Sequence, residues 1–141
     1  MRRLWNWQSR LSDYVLANAQ RKFSYRDGFD CGQFVVGSIQ ALTGVQVEAI
    51  YGYKSRSEAF IAIKEMCGTP TMEAIADYLA KLNGIQPIPV PLAQRGDPVV
   101  LKRGRTSRLG IIDLYPGYVL TPDGNGLLRL PVGYATRAFH I

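Results

Sequence analysis

Histidine and cysteine are scarce in this 141-residue chain: His140 is the only imidazole, and Cys31 and Cys67 are the only thiols. The common four-ligand zinc sites need more of both, and two cysteines make no disulfide framework. Long apolar runs are also missing. No stretch reaches the roughly 18 residues that a membrane span requires, and Met1-Arg2-Arg3-Leu4-Trp5-Asn6 turns polar before a signal-peptide core could form. The expectation is a soluble protein, made in a reducing compartment and without a cofactor. Repeats and low-complexity tracts are absent. With 47% apolar and 20% charged residues, the composition excludes wholesale disorder and a coiled coil.

What is present fits one domain over residues 1–141, long enough to bury roughly 68–70% of the unfolded chain's surface without a metal or disulfide. Net charge is +6, and its excess lies late in the chain. Up to Gly84 there are ten Lys/Arg against eight Asp/Glu, and from Ile85 onward seven against three. The first 84 residues carry helical periodicity and the remainder strand and turn signals, which predicts an α+β fold with N-terminal helices packed on a C-terminal antiparallel sheet.

Leu4, Trp7, Leu11, Tyr14, Val15 and Asn18 recur at helical spacing and predict a first helix over about 6–20. Asp30 is a good cap for a second helix from Cys31 to Leu42, which Gly44 would stop. Ser55 or Ser57 would cap a third ending at Gly68. Thr69-Pro70 would open a fourth, with an apolar face of Met72, Ile75, Ala76, Leu79 and Leu82. Pro87, Pro89 and Pro91 then impose an extended connector. Five short strands follow, over 98–101, 109–114, 118–120, 126–130 and 134–140, separated by Pro116-Gly117 and Pro122-Asp123-Gly124-Asn125-Gly126 turns.

A cysteine in the first turn of a helix meets unpaired N–H groups and the positive end of the helix dipole, which together favour thiolate. Cys31 therefore reads as a nucleophile with a lowered pKa, or else as one more small buried residue, since free cysteine is commonly buried. Cys67 has no comparable context and reads as core. Lys102-Arg103-Gly104-Arg105-Thr106-Ser107-Arg108 puts four cations on an expected hairpin. It would suit phosphates or an acidic protein neighbour, or would simply keep the hairpin solvated; no nucleic-acid module accompanies it. Trp5 falls off the apolar face of the first helix and, with Trp7, Lys102, Arg103, Arg105 and the Phe139 strand, forms a candidate interface.

Gly28-Phe29-Asp30-Cys31 before an apolar helix, the Leu42-Thr43-Gly44 stop, Gly96-Asp97-Pro98-Val99-Val100 and Ser107-Arg108-Leu109-Gly110-Ile111 together span Tyr25 to Leu120. This series resembles the NlpC-type cell-wall endopeptidases, which have a papain-like fold. The Trp-rich first helix, the Leu92-Ala93-Gln94-Arg95-Gly96-Asp97 run and the short C-terminal segment resemble, more narrowly, a small domain of unknown function from tailed-phage tail modules. The resemblance implies a nucleophile at Cys31, beside Asp30, and a catalytic histidine where this chain has Arg108. Around Val119 to Thr121, where the third residue of the family site falls, there is neither His nor Asn. Guanidinium stabilises a thiolate but does not exchange protons near neutral pH. His140 could serve as base only if the last strand lies beside the sheet centre; its other reading is a surface or edge residue. The implied function is a degenerate enzyme acting as a structural subunit of a phage tail tip or baseplate. Such a subunit would be made in the host cytoplasm, carried in the virion, and held against hub, fibre or distal tail proteins. The alternative is an active cysteine peptidase or amidase cleaving peptidoglycan peptides during DNA entry.

Overall fold

The computed structural model describes residues Met1–Ile141. Four helices come first, α1 (Trp7–Asn18), α2 (Cys31–Thr43), α3 (Arg56–Cys67) and α4 (Met72–Leu82). Six strands follow: β1 (Gln86–Ile88), β2 (Pro98–Arg103), β3 (Thr106–Ile112), β4 (Tyr118–Asp123), β5 (Gly126–Pro131) and β6 (Ala135–His140). They form one antiparallel sheet in the order β1-β6-β2-β3-β4-β5. The segregation of helices from strands is that of an α+β protein. No helix is long and apolar enough to cross a membrane.

Local chemistry accounts for most boundaries. Asp30, Ser55 and Thr71 cap α2, α3 and α4 by accepting the backbone N–H three residues on, and Gly44 and Gly68 close α2 and α3. Pro70 therefore stands outside α4, not at its first position, because the Thr71 hydroxyl supplies the cap. Leu82 is exposed at the end of α4, off its buried face. Hairpin turns are tighter than the turn residues alone suggest. Arg103 pairs with Thr106 and Asp123 with Gly126, so each turn has only two residues and Pro122 and Asp123 belong to β4.

The sheet is buried on both faces. Val100, Ile111, Leu120 and Phe139 point into the helical core with Leu11, Phe34, Ile39 and Leu42. Their strand neighbours Val99, Leu101, Ile112, Val119 and Ala138 point the other way, beneath Ile88, Val90, Ala93 and Val132 from the connecting segments. Close approaches require glycine at Gly37, Gly110 and Gly126, the last facing the Ala19 carbonyl oxygen. A Cβ on Gly37 would lie 2.3 Å from the Tyr14 hydroxyl where α1 crosses α2, and one on Gly110 would lie 2.5 Å from the Leu120 carbonyl oxygen. The Tyr14 hydroxyl donates to Phe34 O at 2.8 Å, and burial pushes its pKa up to about 12.

Two expectations about the last strand are corrected. Val132–Tyr134 is a 3-10 turn, so β6 begins at Ala135. Nor is β6 an edge: the proline-bearing segment Gln86–Ile88 pairs with it on one side and β2 on the other. Proline tolerates β1 because an edge strand leaves one side of its backbone unpaired.

Asp97, with no exposed surface, anchors this arrangement. Its carboxylate accepts from Arg3 Nη2 at 2.7 Å, from the Gln94 N–H at 2.8 Å and from the Ile141 N–H at 3.1 Å. Arg3 also donates to the Ile141 and Arg95 carbonyls. Replacing Asp97 by alanine strands a nearly buried guanidinium and two amides, so Asp97→Ala should lower unfolding free energy by about 3 kcal/mol or more. Urea denaturation measures this; a loss below about 1 kcal/mol would show that the clamp contributes little.

Candidate functional site around Cys31

The site begins with the cap of α2. Asp30 is 3% exposed. One of its oxygens accepts the Gln33 N–H at 2.9 Å, and the other accepts the Tyr53 hydroxyl at 2.6 Å. The Gln33 side-chain amide then donates to Ile50 O at 2.9 Å and to the Tyr53 oxygen at 3.4 Å, pinning the irregular segment before α3 onto α2. Tyr25 meets the Tyr53 ring edge to face, with centroids 6.2 Å apart. Reciprocal Ser24 and Phe29 backbone bonds, both 2.9 Å, hold the loop that enters the helix.

This cap directs Cys31 at β3. Pairing between β3 and β4 is confined to Ile111↔Leu120 and Ile112↔Val119, and the Thr121 hydroxyl donates to Leu109 O at 2.9 Å. The backbone of Leu109, like that of Gly32, lies within hydrogen-bonding reach of the thiol. The helix N-terminus thus packs where the β ladder has opened.

The thiol is nevertheless not activated. Burial pushes its pKa up to about 11 and the Asp30 carboxylate adds to the rise, while the Leu109 and Gly32 backbone and the Arg108 charge pull against them with smaller effect. Although Cys31 retains some exposure, its sulfur sits among groups that disfavour charge. The expectation of a lowered pKa is therefore corrected: helix-end polarity is present, but desolvation and the neighbouring carboxylate outweigh it. Tyr53 and Tyr25 are likewise held protonated, chiefly by burial, with Asp30 contributing to both.

Arg108 comes near enough to be felt by Cys31 but is engaged elsewhere. Its guanidinium lies 3.5 Å from Pro122 O and 3.6 Å from the Asp123 carboxylate. His140 does not join this site. It shares strand parity with Ala138, which packs on the sheet face away from the helices, whereas Phe139 between them enters the helical core. Its ring nitrogen lies 3.5 Å from Asp97. The idea of His140 as base for Cys31 is corrected by this alternation.

Candidate interface residues divide similarly. Trp5 is 92% exposed, and Lys102, Arg103 and Arg105 are exposed around the β2–β3 turn, with Arg103 6.0 Å over the Tyr134 ring. Trp7 instead packs against the core with Arg3 4.3 Å above its ring, and Phe139 is 4% exposed. Phe139 presents no free face and Trp7 only part of one, because the β1–β6–β2 pairing and the Asp97 clamp draw both chain ends inward. Cys67 is half-buried at the end of α3. Nowhere do three or more His, Cys, Asp or Glu side chains gather as metal ligands. Sequence reasoning missed Tyr25, Gln33 and Tyr53. Only the capping position of Asp30 carried a local signal, and its hydroxyl partner lies 23 residues away.

An α+β domain with a capped, buried thiol against an open stretch of β ladder is the class this fold and site define. The chain belongs to the family described as a domain of unknown function (DUF6950), whose profile matches residues 2–141. No curated protein matches the chain.

Iodoacetamide should alkylate Cys31 at pH 8 about two orders of magnitude more slowly than a free thiol of pKa ~8.5, with the rate rising towards pH 11. Asp30→Asn preserves a capping side chain and removes a negative charge, so it should shift that rise to lower pH. A rate profile centred near pH 8.5 in the wild type would contradict the burial argument.

Proposed function

We propose that the chain is a catalytically silent relative of the NlpC-type, papain-like endopeptidases, serving as a structural subunit in the tail tip or baseplate of a tailed-phage virion. The observation that carries this reading is the absence of a working base at the Cys31 thiol. The position implied for histidine is Arg108, whose charge is directed to Asp123. The only imidazole lies across the sheet, and the adjacent Asp30 carboxylate is taken up by Gln33 and Tyr53. A cysteine amidase must accept the thiol proton and return it to the leaving amine, and neither step has a competent group here. The element order and the segments that resemble the family, from Tyr25 to Leu120, support the architectural part of the proposal.

The assembly role draws on the surface. Trp5 is exposed near the exposed Arg2, and the cationic β2–β3 turn extends from the sheet. An aromatic anchor and a separate cationic turn suit a neighbour with an apolar pocket and an acidic patch, and ionic strength would weaken the second contact more than the first. A hub, fibre or distal tail protein would be such a neighbour.

The alternative reading, cleavage of peptidoglycan peptides, is favoured by the backbone of Leu109 and Gly32 converging on the thiol, where an oxyanion could be stabilised. Two measurements separate them. Purified peptidoglycan fragments incubated with the protein should yield no new amino termini above background. In particle assembly, Trp5→Ala or neutralisation of Lys102, Arg103 and Arg105 should reduce intact tails, while Cys31→Ser should leave them unchanged. Cys31-dependent release of amino termini, with normal tails in the surface variants, would invert the assignment.

A further inference from the structure

Behind Cys31 lies a cavity of about 120 Å³ between α2, α3 and α4, floored by the sheet. Ile39, Ile63, Ile75, Ala76, Leu79 and Phe139 supply much of its apolar wall, while Tyr25, Tyr53 and the thiol stand at one end. The pocket is open on one side, and its unfilled apolar walls forfeit dispersion contacts that a ligand could restore. It is of the same order as the roughly 150 Å³ apolar cavity engineered in another protein, which stays dry and takes up benzene. The α3 side is the lightly packed one: that helix packs chiefly on α4 and buries only Ala59 and Ile63, and the segment leading to it has no regular structure.

The charges on the wall have one sign. Asp30 and Glu48 line the cavity and no lysine or arginine does. Arg108 and Arg56 reach the Cys31 and Tyr25 end only from outside the lining, and Arg108 is engaged by Asp123, so a ligand carboxylate would meet the like charges of the wall first, whereas a neutral or cationic group would not. The uncharged thiol offers a polarizable surface suited to a ring edge.

We propose that this cavity is a binding site for a free small molecule with a compact apolar body of about benzene size, neutral or cationic but not anionic, seated with one end against Cys31. The proposal is independent of any role in phage assembly. It asks for no reaction at the sulfur.

Methyl-detected NMR of the full chain, titrated with benzyl alcohol, benzylamine and benzoate, tests both size and charge with one ring. The first two should shift the Ile39, Ile75 and Leu79 methyl signals saturably at millimolar concentration, and benzoate should bind at least about tenfold more weakly. Ala76→Phe should abolish the shifts by filling the space, and the milder Ala76→Val should weaken binding several-fold if the larger side chain prevents folding. Saturation by none of the three in the wild type overturns the site. Equal binding of benzoate overturns the charge selection, and shifts unchanged in a folded Ala76 variant place the ligand elsewhere and overturn the assignment.

Discussion

The buried Asp97 carboxylate is the constraint on which the closed form of this domain depends. It stands at the entry to β2, yet its partners come from residue 3, from the turn that precedes β2 and from residue 141. A carboxylate removed from water is tolerable only when its oxygens are supplied with donors, and here a guanidinium and two backbone amides provide them. Satisfying that one group brings the segment before α1 against the last strand. In doing so it seats β6 between β1 and β2, buries Phe139 and places Arg3 over Trp7. Much of what might have been free surface at the two ends is consumed by this clamp.

Asp30 does for the candidate site what Asp97 does for the fold, with an opposite chemical consequence. As an N-cap it stabilises the helix that carries Cys31, and as acceptor for Tyr53 it gathers the irregular segment before α3. Its charge also sits next to the sulfur, where it opposes a second negative charge. A helix terminus alone would promote thiolate. A helix terminus that is desolvated and capped by a buried carboxylate keeps the thiol protonated, because the penalty for burying charge is larger than the gain from a few oriented amides.

The two-sided burial of the sheet explains how chemistry-bearing residues are separated. Adjacent residues on a strand face opposite layers, so Phe139 and His140 enter different environments although they are neighbours in sequence. The helical layer holds the thiol, the tyrosine pair and the apolar cavity. The opposite layer is closed by connecting segments, with His140 beside the Asp97 clamp. The cationic β2–β3 turn extends beyond both, its base tied to α4 by the Ser107–Glu73 hydrogen bond of 2.7 Å. That bond holds the Glu73 carboxyl below its usual range against the opposing effect of partial burial, with Arg137 and Lys102 adding to the lowering.

By itself the sequence determined the helices-then-sheet order, the cap at Asp30, the stops at Gly44 and Gly68, the hairpin between β2 and β3, though not how tight its turn is, and the exposure of Trp5. These rest on local rules of periodicity, side-chain capping and turn geometry, which act over a few residues and need no partner from afar. Only the tertiary structure decided the fate of Cys31, His140, Trp7 and Phe139. The thiol's ionisation depends on the burial and carboxylate that surround it, and the histidine's role on strand parity and sheet order. The exposure of the last strand depends on whether another strand pairs beyond it. Tyr25, Gln33 and Tyr53 belong to the same group, because a hydroxyl that meets a carboxylate 23 positions earlier leaves no periodic trace in the chain. Charge energetics and strand pairing are set by what lies nearby in space, and that proximity was created by the clamp at Asp97 and the cap at Asp30.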